Sequence, residues 1–212
     1  MNGRNLREAF ANASEAWVVT VEALDESTWS RSALGAWDTR ALVGHTLRAF
    51  ATIDRFLAEA EPGSAPEIAD AVQYYRTVLA QPAIHDEVAR RGVDAGVALG
   101  DEPARAVRSA VAATLRALGE ADDALVGPTA AGSMVLGEYL KTRLVEVAVH
   151  HADLCAAWDV TPPVVEGVWE EVLAVVAATA TSSQARVATL GLLGREPLPA
   201  WFNLFAAEPG HS

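Results

Sequence analysis

The feature that most limits what this chain can fold into is the spacing of its apolar residues. Between Thr39 and Ala60 they stand at Leu42, Val43, Leu47, Phe50, Ile53, Phe56 and Leu57, mostly three or four apart. That is the period of one face of an α-helix. Residues 4–24 repeat the pattern with Leu6, Phe10, Trp17, Val18, Val21 and Leu24. No strand-like alternation persists anywhere, and no unit of 20–50 residues recurs. The chain breakers lie between the periodic stretches: EPGSAP at 61–66, Pro82, DALVGPTAAGS at 123–133 and DVTPPVV at 159–165.

These breaks predict helices over 4–24, 39–60, 67–80, 102–121, 134–158 and 164–181. Asp38 or Thr39 can cap the second helix, because a side-chain oxygen there accepts from otherwise unpaired backbone N–H groups. Pro103 falls in a first helical turn, where its missing N–H costs nothing. Residues 84–100 are ambiguous: Gly92, Gly96 and Gly100 each weaken a helix by about 1 kcal/mol relative to Ala. The tail reads as a short helix followed by an extended piece. The expectation is an all-α fold, a bundle of four main helices with additional short ones. It is one domain over 1–212, with 183–212 as a C-terminal extension.

Bulk properties narrow the function. Hydrophobic residues make up 51% and charged residues 21% of the chain, enough for a large core. The formal net charge is −12, which repels phosphate backbones and anionic lipid, so neither nucleic acid nor a membrane is an expected partner. Cys155 is the one cysteine, so no intrachain disulfide can form, which fits a reducing compartment. The N-terminus has no cationic start followed by an apolar run. The most apolar stretch, after Glu171, breaks at Thr179, well short of the roughly 20 residues a span requires. A soluble, cytoplasmic protein is expected.

Charged residues interrupt one apolar segment, TRLVEVAVHHADL at 142–154. On a helix, Arg143, Glu146, His150 and Asp153 fall on one stripe, with steps of three, four and three. Glu146 and His150 can point at one centre. Two donors from one helix rarely suffice. His45 lies near the apolar face of the 39–60 helix and can look into the bundle. Together the three make an N,O,N set with open positions, the pattern of catalytic zinc and of non-haem iron. Two other readings stay open on spacing alone: Glu146 and His150 as a hydrogen-bonded surface pair, and His45 as a half-buried ring satisfied by a backbone carbonyl. No P-loop, G-x-G-x-x-G, C-x-x-C or G-x-S-x-G occurs.

Several segments resemble one family: GAWDTRALVGHTLR (35–48), QYYRTVLA (73–80), HDEVARRGVDAGVALGDEP (85–103), GSMVLGEYLKTRLVEVAVHHADLCAA (132–157) and LLGREPLP (192–199). They look like the actinobacterial mycothiol-dependent maleylpyruvate isomerases of the DinB-like superfamily. The most specific parts are Trp37-x(7)-His45 and the block from Tyr139 to Leu154. The resemblance implies a DinB-like four-helix bundle holding a divalent metal, usually zinc, on His45, Glu146 and His150. It also implies mycothiol as cosubstrate. A cation lowers the pKa of a thiol that otherwise stays mostly protonated at neutral pH.

The expected reaction is therefore a metal-dependent thiol transfer or isomerisation on a small electrophile. The alternatives are a metal-dependent hydrolase and a non-catalytic binding bundle. Arg143 is expected to bind a carboxylate of thiol or substrate, or else to pair with Glu146 or Asp153. Tyr139 and Arg91 are further candidates to line the pocket. His151, about 100° round the helix from His150, is expected at the surface or in a subunit contact. Cys155 should be a buried small hydrophobe, Trp37 should pack under the loop entering the second helix, and His85 should be solvated. The partners expected are the electrophile and the low-molecular-weight thiol, with a homodimer as the possible assembly.

Overall fold

A computed structural model describes residues 3–81, 84–200 and 202–205. Four long helices form the bundle: α1 (Gly3–Glu22), α2 (Thr39–Glu59), α5 (Pro103–Glu120) and α6 (Leu136–Ala157). Each of α1 and α2 packs against both α5 and α6, which closes the ring of four. α3 (Ala71–Leu79) and α7 (Val168–Thr179) lean on α6 and on each other, α4 (Ile84–Ala98) lies along α2, and α8 (Ser182–Leu192) follows α7. The tail beyond Phe205 lies outside the described residues, as does the side chain of His85.

The apolar stripes become the core. Phe10 and Trp17 of α1 meet Phe50 of α2 at ring-centroid distances of 5.5 and 5.7 Å, and Phe56 of α2 stacks on Tyr139 of α6 at 5.2 Å. All five rings are buried. Helix starts follow local chemistry. The Asp38 carboxylate accepts from Ala41 N–H at 2.8 Å, and Asp70 caps α3 through Gln73 N–H. Thr181 and Gln184 make a capping box on α8. Such a cap is worth about 1 kcal/mol.

Two departures from the sequence expectation occur. The loops before α2 and α6 are short antiparallel hairpins, β1 (Ser32–Leu34) with β2 (Trp37–Asp38), and β3 (Val126–Pro128) with β4 (Ser133–Val135). Runs of two or three residues are too brief for a period of two to register. The second departure concerns the glycines of 84–100, which do not prevent a helix. A Cβ on Gly44 of α2 would lie 2.3 Å from the Gly96 nitrogen, and one on Gly96 would lie 2.8 Å from the Arg40 carbonyl oxygen. The two helices therefore touch backbone to backbone, and the packing gained there offsets the weak helix propensity of α4.

Candidate metal centre

α2 and α6 bring three donors together at one end of the bundle. His45 Nε2 lies 3.8 Å from Glu146 Oε2, and His150 Nε2 lies 3.7 Å from the same oxygen. One donor atom of each residue falls within 4.8 Å of the other two. The side chains are 12%, 17% and 28% exposed for His45, His150 and Glu146, so the cluster faces a partly open space.

Both separations exceed a hydrogen-bond length, and His150 and Glu146 stand at ion-pair distance on α6. His45 has no carbonyl partner: its Nδ1 is buried without a hydrogen bond. The His45 ring is held by a face instead. Trp37 packs on it at 4.6 Å between centroids, tilted by 34°, and lies 6.4 Å from His150. The Trp37 Nε1–H donates to the Ala89 carbonyl of α4 at 2.8 Å, and Gly92 leaves room for the indole, since a Cβ there would lie 2.7 Å from it. The β1–β2 hairpin thus delivers Trp37 as a wall of the site. This goes beyond the loop-packing role expected of it.

His150 is oriented differently. Its Nδ1 sits 3.0 Å from Asp153 Oδ2, one turn on along α6, which leaves Nε2 to face Glu146. Hydrogen-bonded carboxylates orient metal-binding imidazoles in this way.

Two imidazoles and a carboxylate are the donor set of open, catalytic zinc sites. Ligands at about 2.1 Å from zinc in a tetrahedron stand roughly 3.4 Å apart, close to the 3.7 and 3.8 Å found here. The residues present fit a divalent cation. Two of the three already hold the protonation state a cation requires, and a cation at His150 would displace a proton. Burial alone would favour the neutral acid at Glu146, yet the neighbouring His150 and Arg143 bring its pKa down to about 2. Burial lowers His45 to about 4, with the nearby His150 adding to the effect. At His150 burial is outweighed by Asp153 and Glu146, which raise it to about 9.

A cavity of about 150 Å³ opens beside His45 and Glu146. Tyr139 and Arg143 of α6 and Tyr74 of α3 form its inner wall, while Arg48 and Thr52 of α2 and Val88 and Arg91 of α4 form the outer one. The candidates Arg143, Tyr139 and Arg91 therefore all line the space next to His45 and Glu146. Arg143 makes no ion pair with Glu146 or Asp153 within 4 Å among the described residues. Its Nη2–H donates to the Tyr74 hydroxyl at 3.0 Å, its Nε–H donates to Thr142 Oγ1 at 3.1 Å, and its guanidinium lies 4.8 Å over the Tyr139 ring. Arg91 pairs with Glu87 on α4. Cys155 is buried, as expected.

His151 corrects an expectation. It is 5% exposed and its Nε2 lies 2.8 Å from Thr20 Oγ1 of α1. A turn of 100° from His150 points it into the α1–α6 seam, since α6 is covered on several sides by α1, α2, α3 and α7. Sequence reasoning also passed over Arg48, Arg55 and Tyr74. A signal for Arg48 was present: it stands three residues after His45, on the same helical stripe.

No curated protein matches the chain in sequence. A family does: the mycothiol maleylpyruvate isomerase N-terminal domain matches residues 10–155. The chain belongs to that family. The match runs from the middle of α1 to the last turn of α6 and includes all three donors, and it makes the protein a member of an enzyme family. Two solved structures share the fold. One is a mycothiol-dependent maleylpyruvate isomerase, at TM-score 0.57 and 16% identity over 88% of this chain and 73% of that one. The other is a histidine-to-alanine mutant of a mycothiol-dependent maleylpyruvate isomerase, at TM-score 0.59 and 18% identity over 88% and 72%. The maleylpyruvate isomerase N-terminal domain is thus an all-α, DinB-like bundle here, and no described helix is long and apolar enough to cross a membrane.

Proposed function

We propose that the protein is a metal-dependent thiol transferase or isomerase, with His45, Glu146 and His150 as ligands of a divalent cation, zinc by donor chemistry, and mycothiol as the thiol. The observation that carries this reading is the convergence of the three donors: both histidine–glutamate separations are close to a zinc tetrahedron's edge, and all three atoms lie within 4.8 Å of one another. The family assignment supports the choice of thiol. When bound, the cation supplies positive charge that favours the ionised thiol over its neutral form.

The chain's own residues divide the remaining work. Asp153 holds Nδ1 of His150, so that Nε2 faces inward. Trp37 holds the His45 ring and shields it from water. Arg143 remains charged inside the wall, oriented by the hydroxyls of Tyr74 and Thr142. It presents positive charge where an electrophile accumulates negative charge on attack. The Tyr139 ring supports that guanidinium from below. Val78 and Val88 give the cavity an apolar side against which a carbon skeleton can lie. A cytoplasmic location, where low-molecular-weight thiols stay reduced, suits this chemistry.

Metal analysis of the purified protein beside His45→Ala and His150→Ala tests the centre. Wild type should bind one equivalent of zinc, and each variant far less; equal content in all three removes the site. Thermal shift with mycothiol then tests the thiol, which should stabilise the zinc-loaded form alone. Zinc binding with no response to mycothiol would replace this reading with a metal-dependent hydrolase or a non-catalytic binding bundle.

A further inference from the structure

α3 has nine residues, Ala71–Leu79, too few to be a stable helix alone. Its neighbours hold it, and two of its side chains grip α6 in turn. The Tyr74 hydroxyl accepts from Arg143. Tyr75 beside it is 4% exposed, and its hydroxyl donates to the Thr142 carbonyl at 3.1 Å. In an α-helix that carbonyl also accepts the amide of the residue four further on, here Glu146. Tyr75 therefore holds α6 at the turn that leads into a metal donor. Burial raises the Tyr75 pKa well above its ordinary value, and the Glu146 carboxylate beside it adds to the rise, so the hydroxyl keeps its proton to donate.

What holds Tyr75 comes from far along the chain. The Phe205 ring stacks on the Tyr75 ring, 4.8 Å between centroids and inclined by 26°. The segment that carries Phe205 is fastened to α8. Leu198 lies against Gly191, where a Cβ would come within 2.5 Å of it. The Gln184 side chain, 7% exposed, donates to the Asn203 carbonyl at 3.4 Å while it also closes the capping box of α8. Asn203 Oδ1 then accepts the Phe205 N–H at 2.8 Å, which fixes the turn that delivers the ring. Phe205 lies well beyond the family match, which ends at residue 155.

We propose that Phe205 is a positioning residue for the metal centre: by stacking on Tyr75 it keeps the Tyr75 hydroxyl on the Thr142 carbonyl and beside Glu146, and so aims the Glu146 carboxylate at His45 and His150. This rests on the reading of those three residues as ligands of a divalent cation. The segment beyond α8 thereby belongs to the site as well as to the scaffold. Groups that hold a metal ligand in place change metal affinity by about 10–100-fold when they are lost. Phe205 acts through Tyr75, which puts its effect at the lower end of that range.

The probe is zinc, its dissociation constant measured by chelator competition on wild type, Phe205→Ala, Phe205→Tyr, Tyr75→Phe and the protein carrying both Phe205→Ala and Tyr75→Phe, each checked for helicity by circular dichroism. Phe205→Ala and Tyr75→Phe should each weaken zinc binding about tenfold. The two together should weaken it little more than either alone, because both break one path. Phe205→Tyr keeps the ring and should bind like wild type. With cobalt in place of zinc, the visible absorption band should shift in Phe205→Ala and Tyr75→Phe and return in Phe205→Tyr, a readout of ligand geometry that a purely structural role would not move. Tyr75→Phe keeps both rings, so it tests the path even if Phe205→Ala does not fold. Wild-type affinity in Phe205→Ala or in Tyr75→Phe, no recovery in Phe205→Tyr, or additive losses in the combined variant would each overturn the assignment and leave the metal centre standing. A wild type that binds no zinc would remove the metal centre and this role with it.

Discussion

Replacing Gly44 by alanine should destabilise the protein, although alanine is the better helix former. In isolation the change would strengthen α2 by about 1 kcal/mol. Here the new Cβ would stand 2.3 Å from the nitrogen of Gly96 and 2.5 Å from the carbonyl carbon of Ala95. Ordinary van der Waals contact begins near 3.4 Å, and both obstacles are backbone, so no rotamer change relieves them. α4 must move away from α2 by about 1 Å. Overpacking of this kind costs about 3 kcal/mol, leaving a net loss of about 2 kcal/mol. For a chain of this size that is a fall in Tm of roughly 4–8 °C. Gly119→Ala provides the control. It lies in α5 with nothing within 4 Å of its would-be Cβ, and should gain up to about 1 kcal/mol. Urea denaturation of both variants in the metal-free state measures the pair. If Gly44→Ala proves as stable as wild type, the backbone contact between α2 and α4 is wrong, and with it the placement of Arg91 and Trp37.

Asp153→Asn leaves a weaker partner for Nδ1 of His150, and zinc affinity measured by chelator competition should fall about 10–100-fold with helicity unchanged. Trp37→Ala should reduce zinc affinity more than Trp37→Phe, because phenylalanine keeps a ring against His45 and loses only the bond to Ala89; equal affinities for the two would remove the stacking role. The metal-free protein should lose stability as the pH falls from 7 to 5. Burial lowers the pKa of His151 from 6.5 to about 4, so the unfolded chain binds a proton in this window and the folded one does not. The stability from neutral His151 is present above pH 6.5 and declines as the pH falls towards 4. His151 alone contributes a loss of about 2 kcal/mol between pH 7 and 5, His45 adds to it and His150 opposes it, and His151→Gln should reduce the slope in urea melts at the two pH values.

Much of the scaffold was legible along the chain. The stripes from Leu42 to Leu57 and from Leu6 to Leu24, with proline and glycine between them, specify helices and their inward faces, because a period of 3.6 residues is a local property. The Glu146–His150 spacing belongs to the same order of information: four residues on one helix necessarily place two side chains side by side. His45 was legible as their partner from its place near the apolar face of α2, and the resemblance of the blocks around Trp37 and Tyr139 pointed to the same residue. What one helix meets on another is not a local property. That α4 lies backbone to backbone on α2 depends on Gly44 and Gly96, 52 positions apart, and read singly those glycines look like helix weakeners. Trp37 becomes the wall of His45 only because a two-residue strand carries it there. His151 becomes buried only because α1 covers that side of α6, and Arg48 and Arg91 line one cavity only once α4 has docked. The sequence by itself determined which residues face inward on each helix; the tertiary packing decided which inward faces oppose one another, since contact between distant segments is set by shape and volume rather than by periodicity.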